Sequence, residues 1–176
     1  MSAFKLLIQK IFPPKETIST VDTTGDGKID SIQIKFLNLI IPFVVPKEIE
    51  IGDFNLKNFD LNNFNISEYG NFFLDDVPLD FPKESFDLKR IRERLLIYHK
   101  GESFNINEIK EGKFSGRTIA LNDTIIILLK LEEETLEKFT EGTHRFRIES
   151  DLISNLEIIF ELNENNMNIK FDHNHT

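Results

Sequence analysis

Asp22, Thr24, Asp26 and Asp30 place oxygen-bearing side chains at close, mostly alternate positions in the stretch VDTTGDGKID, residues 21–30. Carboxylate, hydroxyl and carbonyl oxygens are hard donors, and a calcium ion gathers about six to eight of them. In such a site the side chains of Asp22, Thr24 and Asp26 supply the first ligands. The backbone carbonyl of Lys28 supplies another, and Asp30 a further one. Gly25 and Gly27 permit the sharp backbone turn that brings them together. The same residues equally suit a metal-free hairpin turn, because Asp-Gly accommodates the positive φ angles such turns require. The two readings differ in whether the carboxylates meet an ion or water.

The order Asp22, Thr24, Asp26, Gly27, with Ile29 two residues on, resembles the DxDxDG calcium loop of the EF-hand type over about twelve residues. The resemblance implies bound Ca2+ as the cofactor, with Asp22, Thr24, Asp26, Lys28 and Asp30 as the ligand set. Two positions depart from the pattern. Thr24 stands in place of a carboxylate, and Gln33 stands where a bidentate Glu is expected. Pro13, Pro14 and the Ile/Thr/Val run before the loop cannot form an entering helix. The implied site is therefore a strand–loop–strand version, completed by Asp30 or by an acid from elsewhere in the chain. An ion there stabilises a turn, since a calcium switch needs a pair of helices that can open.

The elements that must position this loop read mainly as strands. Ile32, Ile34 and Phe36 alternate with Ser31, Gln33 and Lys35, the two-residue period of a strand with one buried face. Toward the other end, KFSGRTIAL, TIIILLKL, HRFRIES, LEIIFEL and MNIKF are rich in β-branched and aromatic residues, with turn residues between them. His144 opens one of these strands. LLIYHKGESFNI reads as strand, turn at Lys100-Gly101, and strand, preceded by a helix or loop to about Arg92. Phe54, Phe59, Phe64 and Tyr69 recur every five residues, which reads as an Asn-rich meander with aromatic anchors. Close spacing without long crossovers predicts antiparallel pairing. The expected fold is a mostly β, antiparallel two-sheet sandwich, Ig-like or jelly-roll-like, over residues 15–171.

Two further segments stand apart from the strands. Phe4, Leu7, Ile8, Ile11 and Phe12 fall at helical spacing, so residues 1–14 are expected to form a short amphipathic helix that Pro13 and Pro14 end. Ile41, Phe43 and Val44 sit in LIIPFVVP, where the polar face disappears and Pro42 and Pro46 cannot donate to a ladder. Both are expected contact surfaces, for a protein partner or for self-association. Two Lys on the helix give little attraction for anionic lipid, so protein docking is expected over a membrane. DHNHT, residues 172–176, is expected to be a flexible tail.

Composition narrows the function. A net charge of −9 offers no clustered phosphate-binding surface, so nucleic acid is not expected. With no Cys, thiolate catalysis, disulfides and Cys-based zinc sites are excluded. No apolar run is long enough to span a bilayer. MSAFKLLIQKIFPPK is broken by Gln9 and Lys10 and lacks a small-residue cleavage site, so a cytoplasmic location is expected. With 40% apolar residues and seventeen Phe the chain can build a core. No nucleophile motif accompanies the histidines. The expected function is non-catalytic binding or assembly, with calcium at the 22–30 loop. The alternatives are a calcium-dependent glycan- or membrane-binding module, and a hydrolase with an acidic site.

Overall fold

The computed structural model describes residues 10–39, 41–47, 50–51, 54–55, 71–78, 95–149 and 155–171. It is mostly β, with 47% strand and 9% helix, arranged in several sheets that do not close into a barrel. The helix expected over residues 1–14 falls largely outside the described residues. Of it residues 10–14 are described, and Lys10 and Ile11 have helical backbone before the chain turns at Phe12. The pentad meander beyond Asn55, the segment before Arg92 and the C-terminal tail also lie outside them.

The larger sheet has six strands in the order β14-β1-β2-β11-β8-β9. These are β1 (Ile18–Asp22), β2 (Ser31–Leu37), β8 (Leu95–His99), β9 (Glu102–Asn105), β11 (Thr124–Lys130) and β14 (Ile169–Lys170). The second sheet runs β13-β12-β6-β7, from β6 (Asn71–Leu74), β7 (Val77–Pro78), β12 (Gly142–Glu149) and β13 (Leu156–Leu162). Two short ribbons complete the set. One joins β3 (Phe43–Val44) to β10 (Thr118–Ile119), and the other joins β4 (Glu50–Ile51) to β5 (Phe54–Asn55).

Among the described residues pairing is antiparallel with one exception, which corrects the purely antiparallel expectation. β14 lies parallel to β1, with Val21 opposite Ile169 and Asp22 opposite Lys170. The chain reaches this edge directly from β13 of the other sheet, long after β1, so the parallel pair needs no tight connection.

Register explains which face is buried. Ile18 lies opposite Ile34, Ile34 opposite Ile127, and Ile127 opposite Ile97, so a row of Ile side chains crosses one face. On that face Ile18 and Ile32 join Leu74, Phe139, Phe160 and Leu162 in one cluster, linking the two large sheets. Phe160 is completely buried. Further along the same face, Ile97, Phe104 and Ile125 pack with Val45, Ile109, Phe114 and Ile119. Val21, Tyr98, Ile126, Leu128 and Phe171 cluster on the opposite face. Each such apolar side chain contributes about 1.5–3 kcal/mol on burial.

Two short helices were not expected. α1 (Ile106–Lys110) starts at a capping box, where Asn105 accepts from the N–H groups of Asn107 and Glu108 while Glu108 accepts from the Asn105 N–H. α2 (Glu133–Leu136) turns the chain between β11 and β12.

Candidate functional site

The loop after β1 is closed at its neck by strand pairing. Val21 faces Ser31 across the hairpin, and the Asp30 N–H donates to the Val21 carbonyl at 3.2 Å. Inside this neck Asp22 is only 7% exposed. Its Oδ1 accepts from the N–H of Thr24 at 3.0 Å, the Thr24 hydroxyl at 3.2 Å and the N–H of Gly25 at 2.6 Å. Its Oδ2 accepts from the Gly27 N–H at 2.7 Å. Partial desolvation pushes this carboxyl up. The donors from Gly27, Gly25 and Thr24 outweigh that effect and hold it below its usual value.

Asp30 serves the other side of the neck. It accepts from the Thr23 hydroxyl at 2.7 and 2.9 Å and from the Ser31 hydroxyl at 2.6 Å. Asp26 stands at the exposed tip and accepts from the Lys28 N–H at 2.9 Å. Gly25 and Gly27 adopt φ of +78° and +85°, the positive values that a residue without a Cβ allows. A Cβ on Gly25 would lie 3.9 Å from Lys170 Nζ, so an ammonium group already borders the loop.

Thus the five loop residues fall into three separate hydrogen-bond sets, around Asp22, Asp26 and Asp30. Thr24 belongs to the first, and Lys28 contributes its N–H to the second. Among the described residues, no three His, Cys, Asp or Glu side chains are gathered as a metal site.

The apolar candidates separate into two groups. Ile11 is buried, and the ring of Phe12 meets Phe36 edge-on at 5.7 Å, so both are engaged by their own chain. Phe4, Leu7 and Ile8 lie outside the described residues. Ile41, Phe43 and Val44 are 64%, 40% and 59% exposed. Phe43 and Val44 sit on the short β3–β10 ribbon and Ile41 just before it, the whole anchored by Asn38, whose amide donates to the carbonyls of Ile41, Ile119 and Ala120 at 2.9–3.1 Å. Leu121, next along, is 49% exposed.

Two histidine sites were not legible in the sequence. His144 is buried, stacks on Phe160 at 5.3 Å, and meets Asp75 through Nδ1 and the Thr140 carbonyl through Nε2, both at 2.7 Å. Its Asp75 partner, 69 residues away, occupies a two-residue hairpin turn with Asp76 in which both φ are positive. Partial desolvation pushes the Asp75 carboxyl up, but the bonds from His144 and the Arg145 N–H overcome it and hold the carboxyl low. His99 points Nε2 at Asp123 at 3.1 Å, and its Nδ1 is buried with no hydrogen-bond partner among the described residues. Asp123 also takes the Lys100 ammonium at 2.9 Å and the Ala120 N–H at 2.8 Å. Led by the Lys100 contact, these partners pull its carboxyl down to about 2.

Among the described residues no helix is long and apolar enough to cross a membrane. No protein-family model matches the chain, and no curated protein matches it.

Proposed function

We propose that this chain is a non-catalytic β-sandwich that works by assembly, burying the β3–β10 ribbon against an apolar surface of a second protein. A second copy of the chain is the simplest such surface. The supporting observation is the exposure of Phe43 and Val44 on the ribbon and of Ile41 just before it, where Asn38 holds the backbone. Apolar side chains clustered on a rigid support gain more from being covered than the same side chains on a mobile loop, because little ordering entropy is lost. Light scattering coupled to size exclusion tests this. The wild type elutes above monomer mass, and Ile41→Ser with Val44→Glu returns it to monomer without lowering the melting temperature. A wild type that stays monomeric at high concentration overturns the self-assembly form.

A second reading keeps calcium as an added stabiliser of the 22–30 turn. Its support is that one short loop carries the Asp22, Asp26 and Asp30 carboxylates, which an ion would have to draw out of their separate hydrogen-bond sets. Calorimetry with calcium, repeated on Asp26→Ala, decides it. Heat from the wild type and none from the variant supports the ion, and no heat from either removes it.

A further inference from the structure

A neutral imidazole has one N–H donor and one bare nitrogen that can only accept. His144 faces acceptors at both nitrogens, the Asp75 carboxylate and the Thr140 carbonyl, each at 2.7 Å. Both contacts are hydrogen bonds only when the ring carries two protons. With one proton, a bare nitrogen would lie against an oxygen lone pair at that distance. The side chain is 7% exposed, so little water can intervene.

The two acceptors are unequal. Asp75 is charged and is fixed independently, because its other oxygen accepts the Arg145 N–H at 2.8 Å and its own N–H donates to the Arg145 carbonyl at 2.9 Å. Charge-assisted bonds are roughly twice as strong as neutral ones. The last proton therefore stays on Nδ1, facing Asp75, and the Thr140 carbonyl is the contact that is lost.

The geometry points to His144 as a proton-operated latch. With both nitrogens protonated it holds the turn between α2 and β12 onto the second sheet, and on losing one proton it lets residues 137–141 loosen. That turn carries its own anchor, Phe139, which is buried beside Phe160. The surrounding charges leave the latch to Asp75. From the β6–β7 turn, Asp76 pairs with Arg145 and Arg147. From β13, Glu157 pairs with Arg145, and Phe160 presents only its ring to His144. Arg145 lies next to His144 on β12 and so on the opposite face of the strand. Glu137, Lys138 and Glu141 in the turn itself are exposed. Histidine is the side chain whose ordinary charge change falls between about pH 5 and 8, and that is the span the test must cover.

Ring nitrogen NMR and hydrogen exchange of the whole chain test this together. The wild-type His144 ring is expected to carry two protons at the acidic end and to become the Nδ1–H tautomer at the alkaline end. Over the same change, exchange in residues 136–143, corrected for intrinsic pH dependence, rises roughly tenfold, the factor lost with one hydrogen bond. His144→Phe keeps the stack on Phe160 and removes both donors, so its corrected exchange stays high and flat with pH. A wild-type ring that keeps one bare nitrogen, or keeps both protons, throughout about pH 5–9 overturns the latch. Wild-type protection that does not change with pH overturns it as well. The ring spectrum needs no variant and decides the matter even if His144→Phe fails to fold.

Discussion

The Oδ2 atom of Asp22 accepts the Gly27 backbone N–H at 2.7 Å, across five residues of chain. The loop is therefore built around a carboxylate at its neck rather than around its tip. Replacing that carboxylate removes acceptors from three backbone N–H groups at once, those of Thr24, Gly25 and Gly27.

Asp22→Ala is expected to lower the melting temperature by several degrees at neutral pH. Asp22→Asn fares little better, because its amide must point an N–H at a backbone N–H. The folded carboxyl binds its proton less readily than the usual 3.8. Its contribution is thus complete above that pH and fades as the pH falls through the folded value. Melts at pH 7 and at acid pH check this, the gap between wild type and Asp22→Ala closing on the acid side.

Asn166 offers a test of the far side of the same strand. Its amide donates to the Glu161 carbonyl at 2.6 Å, the Lys15 carbonyl at 3.2 Å and the Ile18 carbonyl at 3.4 Å, while its oxygen accepts the Asn163 N–H at 2.7 Å. One buried side chain thereby ties β1, β13 and the approach to β14. Asn166→Ala leaves these groups unpaired and is expected to cost about 1–3 kcal/mol. Urea denaturation reads this as a lower midpoint with an unchanged slope.

Asp123 sets part of the acid limit of stability. Its folded carboxyl titrates at about 2, against the usual 3.8. The stabilisation it provides is full above 3.8 and disappears as the pH falls toward 2. A carboxyl-carbon NMR titration should place its midpoint near the lower value. In Lys100→Ala, which removes the leading cause, the midpoint moves back toward the ordinary one.

What the sequence revealed follows from the range of each interaction. TIIILLK and LEIIFEL read as strands because their composition and their period are local properties, and both are strands, β11 and β13. The Lys100-Gly101 turn was legible for the same reason, and both residues have positive φ. The Asn105…Glu108 capping box was equally local, but the β-like ESF before it drew the reading toward a strand. The parallel place of β14 could not be read, since two residues of ladder carry no label for their partner. Asp75 and His144 meet only through the pairing of β6 with β12, which no spacing announces. In the 22–30 loop the oxygen donors and the glycines were visible. That Asp22 turns both oxygens onto the loop's own N–H groups was not, because the alternatives differ only in side-chain direction.

The edge pairing of β1 has a consequence for how the protein is made. The Asn168 N–H donates to the Thr20 hydroxyl across 148 residues, at the seam where β14 docks. At ribosomal speeds of roughly 5–20 residues per second, the outer rim of β1 waits about 7–30 s for its neighbour to be synthesised. During that interval it is an open template for a stray strand. The time spent on translation, and not only the finished contacts, thus sets how much of the nascent protein a holding chaperone must shelter.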